Sequence, residues 1–177
     1  MTKSEIDVDP ALLFERAGMD EGRIQSVVDD ALQGCDDGEL FVEYCQSESL
    51  VMDDGRIKSA NFDTNQGFGL RAVAGEQTGY AHASELSESA IVRAAGAVSA
   101  VRAGHDGSMS LAPVATNQSL YPDDNPLGEV SFADKVKLLG EVDSCARGRG
   151  NRVRQVSASL SGEWQAVEIM RADGRRM

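Results

Sequence analysis

The sequence predicts an α+β fold, a mostly antiparallel β-sheet arranged as a meander with helices packed on it. Between Ser49 and Ala83, short β-compatible runs alternate with turn residues at roughly ten-residue intervals. Three amphipathic segments predict helices at 21–33, 87–103 and 132–147. Apolar and polar residues alternate over 153–161, as in a strand with one buried face. We expect about five or six strands, a typical sheet size.

Cap residues and periodicity justify the helices. A short first helix is predicted to begin with Asp9 as N-cap and Pro10 in its first turn, and to end at Gly18. In the other three, the apolar stripes consist of Ile24, Val27, Val28, Ala31 and Leu32; of Ile91, Ala94, Ala95, Val98 and Val101; and of Phe132, Val136, Leu139, Val142 and Ala146. Ser131 and Asp134 form a variant of the capping box before the last helix.

Turn chemistry delimits the predicted strands. A first strand over 40–46 is continuously apolar at its start, which favours an interior position in the sheet. Asp54-Gly55 suits a type I′ hairpin turn, and further reversals are predicted at Asn65-Gln66-Gly67 and Ala74-Gly75-Glu76. The run after the second reversal places its apolar residues on one sheet face; these are Phe68, Leu70 and Ala72.

The C-terminal part is predicted to contain strands at 153–161 and 163–172, followed by Asp173-Gly174-Arg175. This tripeptide repeats Asp54-Gly55-Arg56, but it lacks a return strand, and natural domains avoid such open edges. We therefore expect a piece of a longer protein, organised as one domain over 1–177. Its parts would be a helix–sheet–helix part at 1–104, a long loop at 105–130, and an incomplete helix-and-strand part at 131–177. The proline-containing loop is interpreted as a mobile surface connection, with a catalytic lid as the alternative.

The composition of the chain limits the partners and the cellular compartment that we expect. A net charge of −12 argues against nucleic acid as a partner, because phosphate binding needs clustered Lys and Arg. Three scattered cysteines (Cys35, Cys45 and Cys145) favour a reducing cytoplasm over a disulfide scaffold, and they are interpreted as core residues. No segment has the length and apolarity of a signal peptide or a membrane span, so we expect a cytoplasmic protein without membrane contact.

The residues show no reaction centre. His82 and His105 each lack a second histidine at metal-binding spacing, and both are interpreted as ordinary surface or capping residues. Gly67-Phe68-Gly69-Leu70-Arg71-Ala72 matches a dinucleotide fingerprint formally, but a strand follows it instead of a helix. Local capping accounts for a set of carboxylates in turns and helix starts: Asp53, Asp54, Glu76, Glu85 and Glu88. We therefore assign no catalytic, cofactor-binding or metal-binding residue.

Glycines 67, 69 and 79 are interpreted as positions where another part of the protein packs closely on the sheet. The close approach of a peptide backbone is the alternative that the sequence leaves open.

The run DDGRIKSANFDTNQGFGLRAVAGEQTGYAHAS resembles the N-terminal part of TldD-type proteins in the TldD/PmbA metalloprotease family, also called modulators of DNA gyrase. The resemblance continues through LYPDDNP, VKLLGEVDSCAR and RVRQVSASLSGEWQAVEIMRADGR, and so covers about 13–175. It is closer to the TldD side of the family than to the PmbA (TldE) side.

The resemblance implies a cytosolic zinc peptidase that pairs with a PmbA (TldE)-like subunit and cleaves extended or unfolded peptides. Its HExxxH zinc motif does not occur in this sequence, and Cys145 does not correspond to the family's distant cysteine. The resemblance therefore implies a scaffold and dimerisation part, inactive alone. The alternative is a stand-alone module that binds a PmbA (TldE)-like subunit or a peptide by strand addition.

Overall fold

The computed structural model describes residues 12–102, 106–108, 124–171, 173 and 175–176. The predicted Asp9-Pro10 helix start and His105 lie outside this part. The described elements are, in order, α1 (Leu12–Arg16), α2 (Glu21–Leu32), β1 (Asp37–Asp53), β2 (Arg56–Ala74), β3 (Gln77–Ala83), α3 (Glu88–Val98), α4 (Phe132–Gly148) and β4 (Ser157–Arg171). Short 3₁₀ turns occupy Ser99–Arg102 and Pro126–Gly128.

The α+β prediction is confirmed, because four strands form a sheet in the order β3-β2-β1-β4 with helices packed on it. β1 lies between β2 and β4, which confirms the interior position predicted from its apolar start. β2 and β3 pair in antiparallel register, from Phe68 opposite Ala83 to Ala74 opposite Gln77. The meander prediction therefore holds for the first three strands.

The described part of the chain contains fewer strands than predicted, because three expected breaks do not occur. Asn65-Gln66-Gly67 lies inside β2, so the reversal predicted there is wrong. The two C-terminal strands are one strand, Ser157–Arg171, and residues 153–156 precede it. The predicted strand over 40–46 likewise continues into the following segment as β1, Asp37–Asp53. Pairing with neighbouring strands outweighs local turn preference at these positions, since strand formation depends strongly on context.

The two other predicted turns are confirmed. Asp54 and Gly55 have φ angles of 47° and 73°, as a type I′ turn requires, and Gly75 has a φ angle of 60° between β2 and β3. The C-terminal turn also reverses the chain, because the Arg171 amide donates to the Arg175 carbonyl at 3.0 Å and Arg176 forms an antiparallel bridge with Met170.

The chain divides into two compact units. The first comprises residues 1–44, 65–123 and 166–177, and the second comprises residues 45–64 and 124–165. In the first unit, α3 contacts α2 and β3, and the core includes Ile24, Val28, Leu40, Val42, Leu70 and Ile91. In the second, the core contains Leu50, Met52 and Leu139, with Val136, Ala158 and Leu160 packed against them.

The helix boundaries agree closely with the sequence. The Asp20 carboxylate accepts a hydrogen bond from the Arg23 amide at 2.8 Å and caps α2. α3 ends at Val98, before the predicted 103, because the chain tightens there into a 3₁₀ turn. The stripe predicted for α4 is partly wrong, since the side chains of Phe132 and Val142 are exposed.

Candidate functional site

In the first unit, α2 and α3 pack on one face of the sheet, where Leu32 lies against Gly38 and Val98 lies against Gly79, and we call the opposite face the open face. In β2 the buried side chains are Phe68, Leu70, Ala72 and Ala74, so the intervening residues point to the other side. The strand register places His82 opposite Gly69 and Tyr80 opposite Arg71 on this same side. Alternation along β1 adds the residues between its buried positions: Asp37, Glu39, Phe41 and Glu43.

A hollow of about 290 Å³ lies in the open face. We call it the glycine hollow, and its principal lining residues are Phe41, Glu43, Gly67, Gly69, Tyr80 and His82. The Tyr80 hydroxyl would lie only 2.5 Å from a Cβ built on Gly69, so the ring occupies space that a side chain would fill. The Tyr80 and His82 rings stack with centroids 5.5 Å apart, and Tyr80 is 65% exposed. The hollow therefore presents an accessible aromatic wall, and the Tyr80 ring fills the space above Gly69.

An ion network lies beside the hollow on three strands. Arg71 on β2 donates to Asp37 at 2.6 Å and to Glu39 at 2.7 Å, both on β1. Arg171 on β4 donates to Asp37 at 2.7 Å. Burial alone would raise the pKa of Asp37, but hydrogen bonds from the two arginines outweigh it and hold the pKa below its usual value. Hydrogen bonding to Glu39 likewise raises the pKa of Arg71, against the opposing effect of burial.

The network ties the three strands together through ion pairs. Sequence reasoning missed it, although Asp37 and Glu39 are two residues apart and must share a strand face. The pairing of β1 with β2 and β4 brings in arginines from positions 32 and 134 residues away in the chain. Strand order decides that contact, and the sequence does not specify strand order.

Within the described residues, the histidine and cysteines considered for metal binding or catalysis are not grouped in one site. His82 lines the hollow, Cys35 is buried, and burial raises the pKa of its thiol. Cys145 is exposed on α4, so its interpretation as a core residue is wrong. Among the residues that the structure describes, no three His, Cys, Asp or Glu side chains are grouped to hold a metal ion.

The turn and helix-start carboxylates make specific contacts. Asp54 accepts hydrogen bonds from the Val156 amide and from Arg147, and Glu88 forms a 2.6 Å ion pair with Arg23. These contacts connect segments distant in sequence, so local capping alone does not explain the two residues. Glu85 fits the local interpretation better, because Ser87 donates to it at 2.6 Å.

Close packing explains the three glycines, as predicted. A Cβ at Gly79 would lie 2.5 Å from Val101 Cγ2 and 3.2 Å from the Val98 carbonyl oxygen. A Cβ at Gly67 would lie 2.8 Å from the Ala83 carbonyl oxygen. The formal dinucleotide fingerprint is part of β2, so it does not present a helix N-terminus to a phosphate.

In the described part of the chain, no helix has both the length and the apolar character needed to cross a membrane.

Comparison with known proteins identifies the class to which this architecture belongs. A model of PmbA/TldA metallopeptidase domain 1 matches residues 38–103, and a model of the PmbA/TldA metallopeptidase central domain matches residues 125–177. The chain belongs to the TldD/PmbA metallopeptidase family.

The curated relatives lie on the TldD side of this family. The chain is 37% identical over 143 residues to a metalloprotease TldD homologue from Haemophilus influenzae, covering 78% of this chain and 30% of the relative. It is 30% identical over 141 residues to a TldD homologue from Buchnera aphidicola subsp. Schizaphis graminum, covering 78% of this chain and 29% of the relative. The chain thus spans about 30% of the length of these relatives.

Solved structures share the fold. TldE from Thermococcus kodakarensis superposes with a TM-score of 0.67 at 12% identity, covering 88% of this chain and 36% of TldE. A protein from Thermotoga maritima described as a candidate modulator of DNA gyrase gives a TM-score of 0.69 at 12% identity, covering 93% and 36%.

Proposed function

We propose that this chain is the N-terminal scaffold and dimerisation part of a TldD-like zinc metallopeptidase that cleaves extended or unfolded peptides. The two consecutive family-model matches carry this proposal, because they are to domain 1 and to the central domain of PmbA/TldA metallopeptidases. The open face supports it, because Tyr80 is 65% exposed there and offers apolar surface to another domain, a PmbA (TldE)-like subunit or a peptide.

The zinc of the proposed enzyme does not fit this chain. The sequence has no HExxxH motif, and the described side chains form no group of three ligands. A catalytic zinc needs three protein ligands and an open position, so we derive no hydrolytic step from these residues. We place the zinc and the peptide-bond chemistry in the part of the relatives that this chain does not span.

A reading of the downstream sequence and an expression experiment test the proposal. The reading frame downstream of residue 177 is expected to encode HExxxH. The extended protein, produced together with the PmbA (TldE)-like subunit of the same genome, is expected to bind zinc and hydrolyse an unfolded polypeptide. The 177-residue chain is expected to be inactive and to bind that subunit. Chelator-sensitive hydrolysis by the short chain, or a downstream frame without HExxxH, would contradict the proposal.

A stand-alone binding module is the second candidate function, and the second unit carries the observation that favours it. β3 pairs only with residues 68–74 of β2, so residues 56–64 have no strand neighbour on that side in the described part. This edge is exposed along almost its whole length, and Phe62 is 59% exposed. Such an edge can accept a strand from a partner through main-chain hydrogen bonds.

Strand addition predicts that Phe62→Lys weakens capture of a PmbA (TldE)-like subunit by the 177-residue chain, because a lysine blocks edge pairing. Leu138→Lys, on exposed α4, is the matched control. Equal capture of the PmbA (TldE)-like subunit by both variants would contradict strand addition at this edge.

We further propose that the protein works in the cytoplasm on peptides, without nucleic acid or membrane partners. The net charge of −12 supports this, because it disfavours anionic surfaces. Retention on DNA at physiological salt would contradict it.

A further inference from the structure

The outer edge of β4 is the longest strand edge that lies at one end of the described sheet. The strand order β3-β2-β1-β4 gives β4 one neighbour, β1, among the described strands. Natural proteins commonly guard such an edge with charged residues, lysine above all, or with proline. Residues 157–167 of β4 include no lysine, arginine or proline, and Glu163 is their single charged residue. The main-chain groups of this stretch are therefore open to pairing with another strand.

Two hydrogen bonds show which residues of β4 direct their main-chain groups outward. On the side of β1, the Asp54 amide donates to the carbonyl of Val156, just before β4, at 2.9 Å. On the outer side, the Arg171 amide donates to the Arg175 carbonyl at 3.0 Å. Because the two sides alternate along an antiparallel strand, the odd-numbered residues of β4 present their N–H and C=O groups outward.

The C-terminal turn already uses one end of this edge for antiparallel pairing. Arg176 forms an antiparallel bridge with Met170, and its side chain is held by Glu168 and by Glu21. The turn thus lies beside the last residues of β4 and leaves the stretch 157–167 for another partner. The midpoint of that stretch is Gly162.

We propose that the outer edge of β4 pairs antiparallel with the same edge of a second copy of this chain, across a two-fold axis at Gly162. This register overlaps the whole of 157–167 and places odd-numbered residues opposite odd-numbered residues, as the outward main-chain groups require. Leu160 lies opposite Trp164 on one face, an aliphatic–aromatic cross-strand pair. Ser161 lies opposite Glu163 on the other face, so the two Glu163 carboxylates do not meet.

The neighbouring register is less favourable. Moving the axis to Glu163 would place two carboxylates directly opposite each other, and like charges in that position are destabilising. The interface consists of a single strand from each copy, which is small for a stable complex. We therefore expect a weak dimer, with a dissociation constant on the order of 10 µM. This self-association goes beyond the proposed function, which concerns pairing with a PmbA (TldE)-like subunit.

Sedimentation velocity of the 177-residue chain at physiological salt tests the proposal. Between about 1 and 300 µM, the chain is expected to change from monomer to dimer by mass action. A monomer at every concentration would overturn the proposal, as would open-ended association, because a two-fold pairing closes at two copies. The measurement needs neither zinc nor a PmbA (TldE)-like subunit, so its failure is distinguishable from a failure of the proposed peptidase function.

Charge variants test the edge and the register. Ser161→Glu places a new carboxylate opposite Glu163 of the second copy, twice across the axis, and is expected to weaken the dimer about fivefold or more. Combining it with Glu163→Lys should restore dimerisation, because each new carboxylate then lies opposite a lysine. Thr78→Glu is the matched control, since it adds the same charge at an exposed position of β3, at the other end of the sheet.

The control is expected to dimerise like the native chain, and circular dichroism checks that every variant is folded. Unchanged dimerisation in folded Ser161→Glu would overturn the proposal. A double variant that dimerises no better than Ser161→Glu alone would overturn the axis at Gly162.

Discussion

The protein buries charged side chains that the apolar pattern of its sequence does not predict. Lys135 is only 6% exposed, and its ammonium group donates to both carboxylate oxygens of Glu48, at 2.6 and 2.7 Å, and to the Leu127 carbonyl at 2.7 Å. The pair connects α4, β1 and the 3₁₀ turn at Pro126–Gly128 within the second unit. Three donors meet three acceptors, so the lysine is fully satisfied.

Removing only one member of this pair should be costly. Lys135→Met leaves the Glu48 carboxylate without its compensating charge, and we expect it to lower the free energy of unfolding by about 3–5 kcal/mol. Lys135→Met combined with Glu48→Leu should recover most of the loss, because no isolated charge remains. Urea unfolding measures both. Lys137→Met, on the exposed side of α4, is the control, and an equally large effect there would contradict the prediction.

The Asp37 network predicts a pH dependence with a defined sign. Because the folded-state pKa of Asp37 lies below its usual value, its stabilisation is present above about pH 4 and is lost as pH falls through the folded pKa. The stability difference between the native chain and Asp37→Asn should therefore shrink upon acidification below about pH 4. Denaturant unfolding at several pH values measures it. Asp63→Asn, an exposed carboxylate on β2, should show no comparable trend.

Among the elements, the contact between β3 and α3 depends on one glycine. Gly79 lies against Val98 and Val101, at the C-terminal end of α3 and in the 3₁₀ turn that follows it. The Val98 atoms concerned belong to the backbone, which cannot move aside as a flexible side chain can. Strand and helix therefore approach more closely than any other residue would allow.

Gly79→Ala should consequently reduce the free energy of unfolding by about 1–3 kcal/mol, as overpacking does elsewhere. Gly96→Ala makes the same chemical change on exposed α3, where a Cβ meets nothing within 4 Å, and it should raise stability by up to about 1 kcal/mol through helix propensity. Thermal or urea unfolding compares the two variants. If both substitutions changed the free energy of unfolding in the same direction, close packing at Gly79 would not explain the need for glycine there.

For the whole molecule, two compact units are built from interleaved segments of the chain. β1, β2 and β4 each contribute residues to both units. We therefore propose that residues 1–177 unfold as the one domain predicted from the sequence.

Cooperative unfolding can be followed by one probe in each unit. Trp164, the single tryptophan, reports on the second unit by fluorescence, and the His82 resonance reports on the first. Coincident transitions are expected, and Lys135→Met should shift both signals together. Two separate transitions would show that the units fold independently.

Local chemistry determined much of this structure. Asp20 and Ser131 cap their helices as predicted, and Asp54-Gly55 makes its turn, because each depends on hydrogen bonds or φ angles within a few residues. The resemblance carried by the glycine-rich run identified the family correctly. Local patterns failed where neighbours decided the outcome, as at Asn65-Gln66-Gly67, which β2 absorbs.

The helix stripe on α4 shows the same limit. Periodicity predicted Phe132 and Val142 as core residues, yet Lys135 and Asp143 are buried instead. Their partners, Glu48 and Arg147, make a charged buried face possible, and only the folded chain brings Glu48 there.

The sequence by itself determined where α2, α3 and α4 begin, the close-packed role of the glycines and the family, because these depend on local conformation and on a specific residue pattern. Tertiary structure alone decided the strand order, the ion network around Asp37 and the glycine hollow. The physical reason is that each of these joins residues from different strands, whose pairing depends on the packing of the whole sheet.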